Sequence, residues 1–236
     1  MLVKLGEVAL IERVSITPDK IRPGTFYIGL EHIGEDGSLT GISTVNSGDI
    51  ASSKYNFGPH HVLFGKLRPY LRKVAAPKIS GVCSTDILPI KPGNRIDRRY
   101  LYHWLRSPST IELATVRSKG ANLPRISPRE LEQFELPLPP LPEQRRIAAV
   151  LDAADALRAK RRAALAKLDA LLQSVFLEMF GDPVRNEKGW ERYPLSDAYW
   201  FQEGPGVRRW QFKSKGVKLL NVGNIEAGGI LNLAKT

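Results

Sequence analysis

The fold is decided by residues 136–182, which read LPLPPLPEQRRIAAVLDAADALRAKRRAALAKLDALLQSVFLEMFGD. The start, Leu136–Pro142, cannot form regular structure and predicts a stiff strap of polyproline geometry, with a ligand for a proline-recognising domain as the alternative. Pro142 suits the start of a helix, and Gly181-Asp182-Pro183 is a strong stop signal. The stretch therefore predicts a helix over 142–180, about 58 Å long at 1.5 Å per residue.

This helix has an apolar seam at coiled-coil spacing, interrupted by Arg161. A domain of about 140 residues cannot easily cover so long a helix, so we favour pairing with a second long helix over packing on its own domain. The sequence contains no other such helix, so the partner is expected to be a second copy or another protein. The predicted pairing residues are Ile147, Val150, Leu151, Ala154, Leu157, Ala164, Leu165, Leu168, Leu171, Leu172, Val175 and Met179.

Residues 1–141 predict one mixed domain of the α+β class, in which short apolar runs alternate with Gly, Pro and Asn turns. A short helix is expected after Ser127, since a capping serine, a proline and an acidic residue follow one another there. The other predicted elements are strands at Phe26–Ile33, His61–Leu67 and Asp86–Ile90 and helices at Arg98–Arg106 and Ser109–Lys119.

Residues 181–236 resemble the start of the chain. Leu5–Val8 is echoed by Leu195–Ala198, Tyr27–Ile33 by Leu219–Ile225, and Gly37–Leu39 by Gly229–Leu231. The offset between the two copies is about 190 residues. This is far too long for the repeat of a solenoid and indicates two copies of one domain. The second copy is expected to be an incomplete, N-terminal fragment of the domain.

Composition narrows the class of protein. Apolar residues make up 42% and charged residues 25% of the 236 positions, as in globular chains with a real core. The sequence has neither a signal-peptide pattern nor an apolar run long enough to span a bilayer, and its single cysteine, Cys83, excludes a disulfide framework. We therefore expect a cytoplasmic protein with no membrane partner.

The charge indicates the partner. Lys and Arg number 35 against 24 Asp and Glu, a net charge of +11, which suits a polyanion such as nucleic acid; a basic protein without that role is the alternative. Ten of the cations lie between Lys54 and Arg99, where only Asp86 and Asp97 oppose them. The basic charge is therefore concentrated in one part of the first domain.

Catalytic motifs are missing from the sequence. It has no phosphate-binding loop, no nucleophile elbow and no zinc-protease motif. His60 and His61 are adjacent and would face opposite sides of a strand, so they are not expected to share a metal, and Cys83 is expected to be a buried filler. The sequence predicts a binding module, with no catalytic residue and no metal site.

Two segments of the first domain interleave cations with aromatic and polar residues, as nucleic-acid-binding loops do. They are Phe64–Lys73 and Arg117–Arg125. For each residue taken singly, a solvated surface role is at least as good an interpretation as base contact. The candidate DNA-binding residues are Lys54, Lys66, Arg68, Tyr70, Arg72, Lys73, Ser84, Thr85, Arg117, Lys119, Asn122 and Arg125.

Four stretches together resemble the specificity (S) subunits of type I restriction-modification systems. Val62–Tyr70 with Cys83–Asp86 resembles the core of their target recognition domains, and Leu136–Arg145 the junction entering the spacer helix. Leu171–Asp182 resembles the helix exit, and Leu219–Ile225 the opening of a second recognition domain. The resemblance covers essentially the whole chain.

The resemblance implies a subunit without catalytic activity that recognises a bipartite DNA sequence, one half per recognition domain. It implies methyltransferase (M) and restriction (R) subunits as partners. S-adenosylmethionine and ATP with Mg²⁺ are expected on those partners, and no cofactor is expected in this chain.

The chain differs from the S-subunit pattern, which has a complete second recognition domain and a second spacer helix. A natural half-subunit, a gene rearrangement or an engineered fragment would each explain the difference. Two copies pairing antiparallel through residues 142–180 would rebuild a two-domain reader of a palindromic split site. The alternative is a decoy protein that binds M subunits through its helix.

Overall fold

The structure is a computed structural model that describes residues 1–46, 48–200, 206, 220, 222–226 and 230–232. The chain divides into two compact units, Met1–Leu172 and Gln173–Thr236. In the described part of the chain, no helix is both long enough and apolar enough to cross a lipid bilayer.

The first unit contains two main sheets and a two-stranded ribbon. Its strands are β1 Leu2–Lys4, β2 Ala9–Ile11, β3 Ser15–Ile16, β4 Thr25–Ile28, β5 Ser43–Val45, β6 Lys54–Phe57, β7 Val62–Gly65, β8 Val74–Ala75, β9 Gly81–Cys83, β10 Ile87–Pro92 and β11 Glu135–Pro137. The four-stranded sheet is antiparallel and has the order β2-β10-β7-β8. The five-stranded sheet has the order β3-β6-β9-β4-β5, in which β4 and β9 are parallel, and the ribbon pairs β1 with β11.

The four-stranded sheet separates two hydrophobic cores because alternate residues of a strand face opposite sides. On β7, Val62 and Phe64 belong to the core shared with the helices, whereas Leu63 belongs to the core shared with the five-stranded sheet. Cys83 is fully buried in that second core, as predicted. The unit therefore has three layers in space, namely the helices, the four-stranded sheet and the five-stranded sheet, which fits the α+β class.

Three helices follow the sheets, and each begins at a polar cap. They are α1 Arg98–Arg106, α2 Pro108–Val116 and α3 Pro128–Glu132. Asp97 accepts hydrogen bonds from the backbone of Arg99 and Tyr100, and Ser127 accepts one from Glu130, as the capping pattern predicted for α3. The prediction of α2 was shifted, since Ser107 caps that helix and Pro108 occupies its first position.

Two local predictions were wrong. The expected strand Phe26–Ile33 ends at Ile28, because the backbone N–H of Gly29 donates to Nδ1 of His32 and closes a 3₁₀ turn over Leu30–His32. The expected strap begins as a strand, because Leu136 and Pro137 pair with Leu2 and Val3 at the other end of the domain. A proline is tolerated on such an edge strand.

The long helix α4 covers Leu141–Phe180, which confirms the prediction to within one residue. Gly181 ends it in the left-handed conformation (φ 75°), and its N–H donates to the carbonyl of Leu177 at 2.8 Å. The Nζ of Lys188 donates to the carbonyls of Glu178 and Met179, and the indole N–H of Trp190 to that of Phe180. The last carbonyls of the helix are therefore satisfied by the segment that follows.

The second unit contains α5 Leu195–Ala198 and a hairpin of β12 Ile225–Glu226 with β13 Ile230–Leu231. A 3₁₀ turn over Val222–Asn224 precedes β12, and the backbone N–H of Asn232 donates to the carbonyl of Asn224 at 2.8 Å. The first unit has the same arrangement 192 residues earlier. There the turn Leu30–His32 precedes the Ile33–Leu39 bridge, and Thr40 donates to His32 at 3.0 Å. Leu219, Asn221 and Gly229 of the predicted repeat lie outside the described residues.

Candidate nucleic-acid interface

The two basic segments singled out in the sequence lie side by side. The backbone N–H of Arg68 donates to the carbonyl of Pro124 at 2.8 Å, and that of Ile126 to the carbonyl of Lys66 at 3.0 Å. A bridge between Lys119 and Arg125 closes the second segment on itself. We call residues 66–72 and 117–125 the paired loops. Because backbone bonds join them, their side chains form one surface.

The first of the paired loops has an unusual backbone. Arg68 (φ 49°) and Arg72 (φ 54°) are both left-handed, and they flank a 3₁₀ turn over Pro69–Leu71. This conformation is uncommon for residues with a side chain and costs about 1–3 kcal/mol, so it persists only where the surroundings require it. Tyr70, the middle residue of this turn, has an exposed fraction of 48%.

Asp86 is the counter-ion of this surface. Its carboxylate accepts two hydrogen bonds from Arg125, at 3.0 and 3.3 Å, and lies 3.8 Å from Nζ of Lys66. Hydrogen bonding to Asp86 raises the pKa of Arg125. Asp86 thereby orients two cations and offsets part of their charge, a role that the sequence indicated only as an acid among many bases.

Several polar side chains of the surface remain open to solvent. Thr85, in the turn before β10, is exposed, as are Lys119 and Asn122 in the second paired loop. Arg117 is also exposed and forms an ion pair with Glu130 at 3.3 Å. The surface thus combines cations, a hydroxyl, an amide and the aromatic ring of Tyr70.

The remaining five predicted DNA-binding residues make other contacts. Lys54 lies on β6, donates to Ser52 and sits above the ring of Tyr27 at 5.9 Å. Lys73 donates to the carbonyl of Ile33 at 2.6 Å, and Ser84 accepts from the backbone of Asp86. The guanidinium of Arg68 donates to the carbonyl of Asn122, and that of Arg72 to the carbonyl of Arg106. These contacts support the local fold, and they account for the placement of these side chains without DNA.

Several of the ten cations between Lys54 and Arg99 are already paired within the domain, so fewer are available to bind DNA than the sequence suggests. Lys91 forms an ion pair with Glu12 at 2.9 Å, and Arg98 donates to the carbonyls of His61 and Pro77. Arg99 binds Asp152 of α4. Sequence reasoning missed these pairs because their acidic and carbonyl partners are distant in the chain.

His60 and His61 lie in a turn, where the N–H of His61 donates to the carbonyl of Gly58 at 3.1 Å, so the expectation that they face opposite sides of a strand was wrong. Their rings are 4.2 Å apart, and their ligand atoms lie within 4.8 Å of those of Glu12. Nδ1 of His61 accepts from Gly58, so Nε2 bears the proton and donates to Glu12 at 3.0 Å. Both ring nitrogens of His61 are therefore engaged in structural hydrogen bonds, to Gly58 and Glu12.

Comparisons with known proteins agree on one family. The family model of the type I restriction modification DNA specificity domain matches residues 1–167. The EcoDI specificity subunit of Escherichia coli, a type I restriction enzyme subunit, is 31% identical over 67% of this chain and 36% of its own length. The chain therefore spans about a third of that relative.

Solved structures show the same fold. The HsdS subunit from Thermoanaerobacter tengcongensis superimposes with a TM-score of 0.58 and 27% identity, over 78% of this chain and 50% of its own. A structure describing complex assembly and conformational transition of the type I R-M system gives a TM-score of 0.60 and 26% identity, over 82% and 51%. The chain covers about half of each.

Proposed function

The chain belongs to the type I restriction modification DNA specificity family, and from that premise we propose that it is a non-catalytic specificity subunit. Its first unit recognises one half of a bipartite DNA sequence through the paired loops. The observation on which this rests is the joining of two basic, sequence-distant segments into one surface by backbone hydrogen bonds. We propose that it acts on DNA in the cytoplasm.

The surface divides by chemistry into two kinds of contact. Lys66, Lys119 and Arg125 are suited to phosphates, where cations set affinity and register but read no sequence. Asn122 can pair with adenine, and Thr85 can contact either a base edge or a thymine methyl group. In this proposal the paired loops, together with Thr85, supply both affinity and specificity.

The expected partners perform the chemistry. Methyltransferase subunits bearing S-adenosylmethionine methylate adenine, and restriction subunits using ATP and Mg²⁺ cleave. In support, one solved relative is described as showing complex assembly of a type I system. We propose that α4 is the element that connects the recognition domain to those subunits.

The exposed seam of α4 supports pairing with a second long helix. Leu157, Leu165, Leu168 and Leu172 are each more than half exposed in the described structure. We propose that two copies pair these helices antiparallel, so that two-fold symmetry presents two recognition domains to a palindromic split site.

The primary experiment maps N6-methyladenine in DNA from cells that express this chain with its M subunit, against cells that express the M subunit alone. A new split motif is expected. The double variant Lys119→Gln, Asn122→Ala should lose methylation at that motif, whereas Lys4→Gln, which removes an exposed cation on β1, should retain it. Methylation that is unchanged in the double variant would remove the paired loops from the interface.

A second candidate function is a decoy that sequesters M subunits through α4, which the exposed seam also favours. The two functions differ in their requirement for DNA. A decoy would lower methylation at existing motifs in a dose-dependent way and would create no new motif. The same methylation map therefore separates the two.

A further inference from the structure

One face of α4 is attached to the recognition domain at several points. Gln144 is fully buried, donates to the carbonyls of Arg95 and Pro139, and accepts from the backbone of Asp97 at 2.7 Å. The positions on this face are spaced three or four residues apart, as one helical stripe requires. They are Gln144, Ala148, Asp152, Asp155, Ala159 and Arg162, and we call them the docking stripe.

The middle of the docking stripe is ionic. The carboxylate of Asp152 accepts from Nε of Arg99 at 3.1 Å and lies 2.6 Å from Nε2 of His103. Burial opposes ionisation of Asp152, but these hydrogen bonds outweigh it and lower its pKa. Asp155 binds Arg106 at 2.7 Å. The three partners, Arg99, His103 and Arg106, all lie on α1. The two carboxylates of α4 therefore bind a single helix of the domain.

The far end of the stripe makes a third attachment. Arg162 binds Asp36, in the turn between Ile33 and Leu39, at 2.6 Å. Gln144 and Arg162 are 18 residues apart, so the contacts extend over about 27 Å of helix. Of the predicted seam, Ile147 packs against the core of the domain, whereas Val150, Leu157 and Leu168 remain exposed. One face of α4 is thus fixed to the domain while another is free.

Stability accounts for little of the Arg99–Asp152 contact, because the two side chains are each 38% exposed and ion pairs at that exposure contribute little to folding. Their geometry is restrictive, however, because guanidinium–carboxylate pairs have a fixed planar fork, whereas apolar contacts are non-directional. From Asp152 to Leu172 the helix extends about 30 Å, so a 10° tilt would move that point by about 5 Å. That displacement exceeds the 3.4 Å step between base pairs.

We propose that Asp152 and Asp155 are positioning residues that fix the angle at which α4 leaves the recognition domain, and that they thereby set the separation of half-sites the assembled protein accepts. This role rests on the proposed function. Affinity for one half-site belongs to the paired loops, and tolerance of spacing belongs to the docking stripe.

The first test measures the angle directly. Nitroxides at Glu112→Cys on α2 and Ala170→Cys on α4, both exposed positions, report the domain–helix distance by pulsed EPR; buried Cys83 stays unlabelled. The double variant Asp152→Asn, Asp155→Asn should broaden the distance distribution. Arg106→Gln, which breaks the Asp155 pair from its other side, should broaden it too. Asp169→Asn, an exposed carboxylate beyond the end of the docking stripe, should not. A distribution unchanged in the double variant would overturn the proposal.

The second test measures spacing. Once methylation mapping has given the motif, binding is compared on a single half-site and on paired half-sites whose separation differs by one base pair. The double variant should bind the single half-site within about twofold of wild type and lose several-fold of its discrimination between separations. Unaltered discrimination would overturn the spacing role even if the EPR distribution broadens. A wild-type chain with no sequence preference at all would instead refute the proposed function, and the spacing role with it.

Discussion

Gly37 lies in a turn of the recognition domain that packs against α1, the helix to which α4 is attached. It is left-handed (φ 78°), and a Cβ added to it would lie 2.0 Å from the hydroxyl of Tyr102 and 2.9 Å from the carbonyl of Val74. The ring of Tyr102 in turn lies between Arg99 and Arg106, at 4.3 and 4.9 Å from their guanidinium carbons. The two arginines that hold α4 are therefore packed against a residue that requires this glycine.

We expect Gly37→Ala to lower the free energy of unfolding by about 2–4 kcal/mol, the sum of left-handed strain and a steric clash. Gly24→Ala is the matched control, because Gly24 is also left-handed (φ 83°) but has no atom within 4 Å of the added Cβ. The control should cost only about 1 kcal/mol. Urea denaturation measures both variants, and equal losses would show that the contact with Tyr102 is unimportant.

Cys83 gives a second prediction at this scale. Burial raises the pKa of its thiol to about 12. At pH 8 the thiolate is then about one part in ten thousand of the total, and thiolate is the reactive form. The native protein should not react with a thiol reagent at pH 8, whereas protein in urea should react with one equivalent. Rapid reaction of the native protein would mean that the second core opens.

At the scale of elements, the signals that predicted correctly were local. The bounds of α1 and α4 follow from a cap, a periodic pattern and a glycine stop within the segment itself. The errors came from distant partners. Leu136 and Pro137 form a strand only because Leu2–Lys4 lies beside them, and no signal in the proline-rich segment indicates that pairing. The paired loops were each visible in the sequence, but the role of Asp86 between them was not.

Gln144 tests the attachment of α4 as an element. Gln144→Ala would leave the backbone N–H of Asp97 and the carbonyls of Arg95 and Pro139 without a partner in a buried site. Each such group costs about 1–3 kcal/mol, so we expect a loss of at least about 2 kcal/mol in chemical denaturation. Gln173→Ala removes an exposed glutamine of the same helix and should be neutral within about 0.5 kcal/mol. Equal effects of the two variants would contradict the attachment of α4 through Gln144.

At the scale of the whole molecule, the internal repeat and the apolar seam of α4 both indicate an assembly that contains two copies of the recognition domain. The second unit has the 3₁₀ turn and closing hydrogen bond of the first unit at a constant offset of 192 residues, and its β12–β13 pair stands where the first unit has the Ile33–Leu39 bridge. Local sequence similarity predicted this echo, because the turn is formed by a few adjacent residues. Pairing between molecules has no such local signal beyond apolar spacing, and it requires a direct measurement.

Pairing through the seam predicts that self-association depends on the seam and not on the charge of α4. Leu168→Glu with Leu171→Glu places two carboxylates in the seam, where burial of an unpaired charge is strongly unfavourable. Ala170→Glu adds the same type of charge between them but off the seam. Sedimentation velocity over a wide concentration range should show wild type and Ala170→Glu associating and the double variant monomeric. Far-UV circular dichroism of the double variant should stay helical, because glutamate is a good helix former. A wild-type chain that remains monomeric throughout would refute pairing between copies, and association that survives in the double variant would place the contact outside the seam.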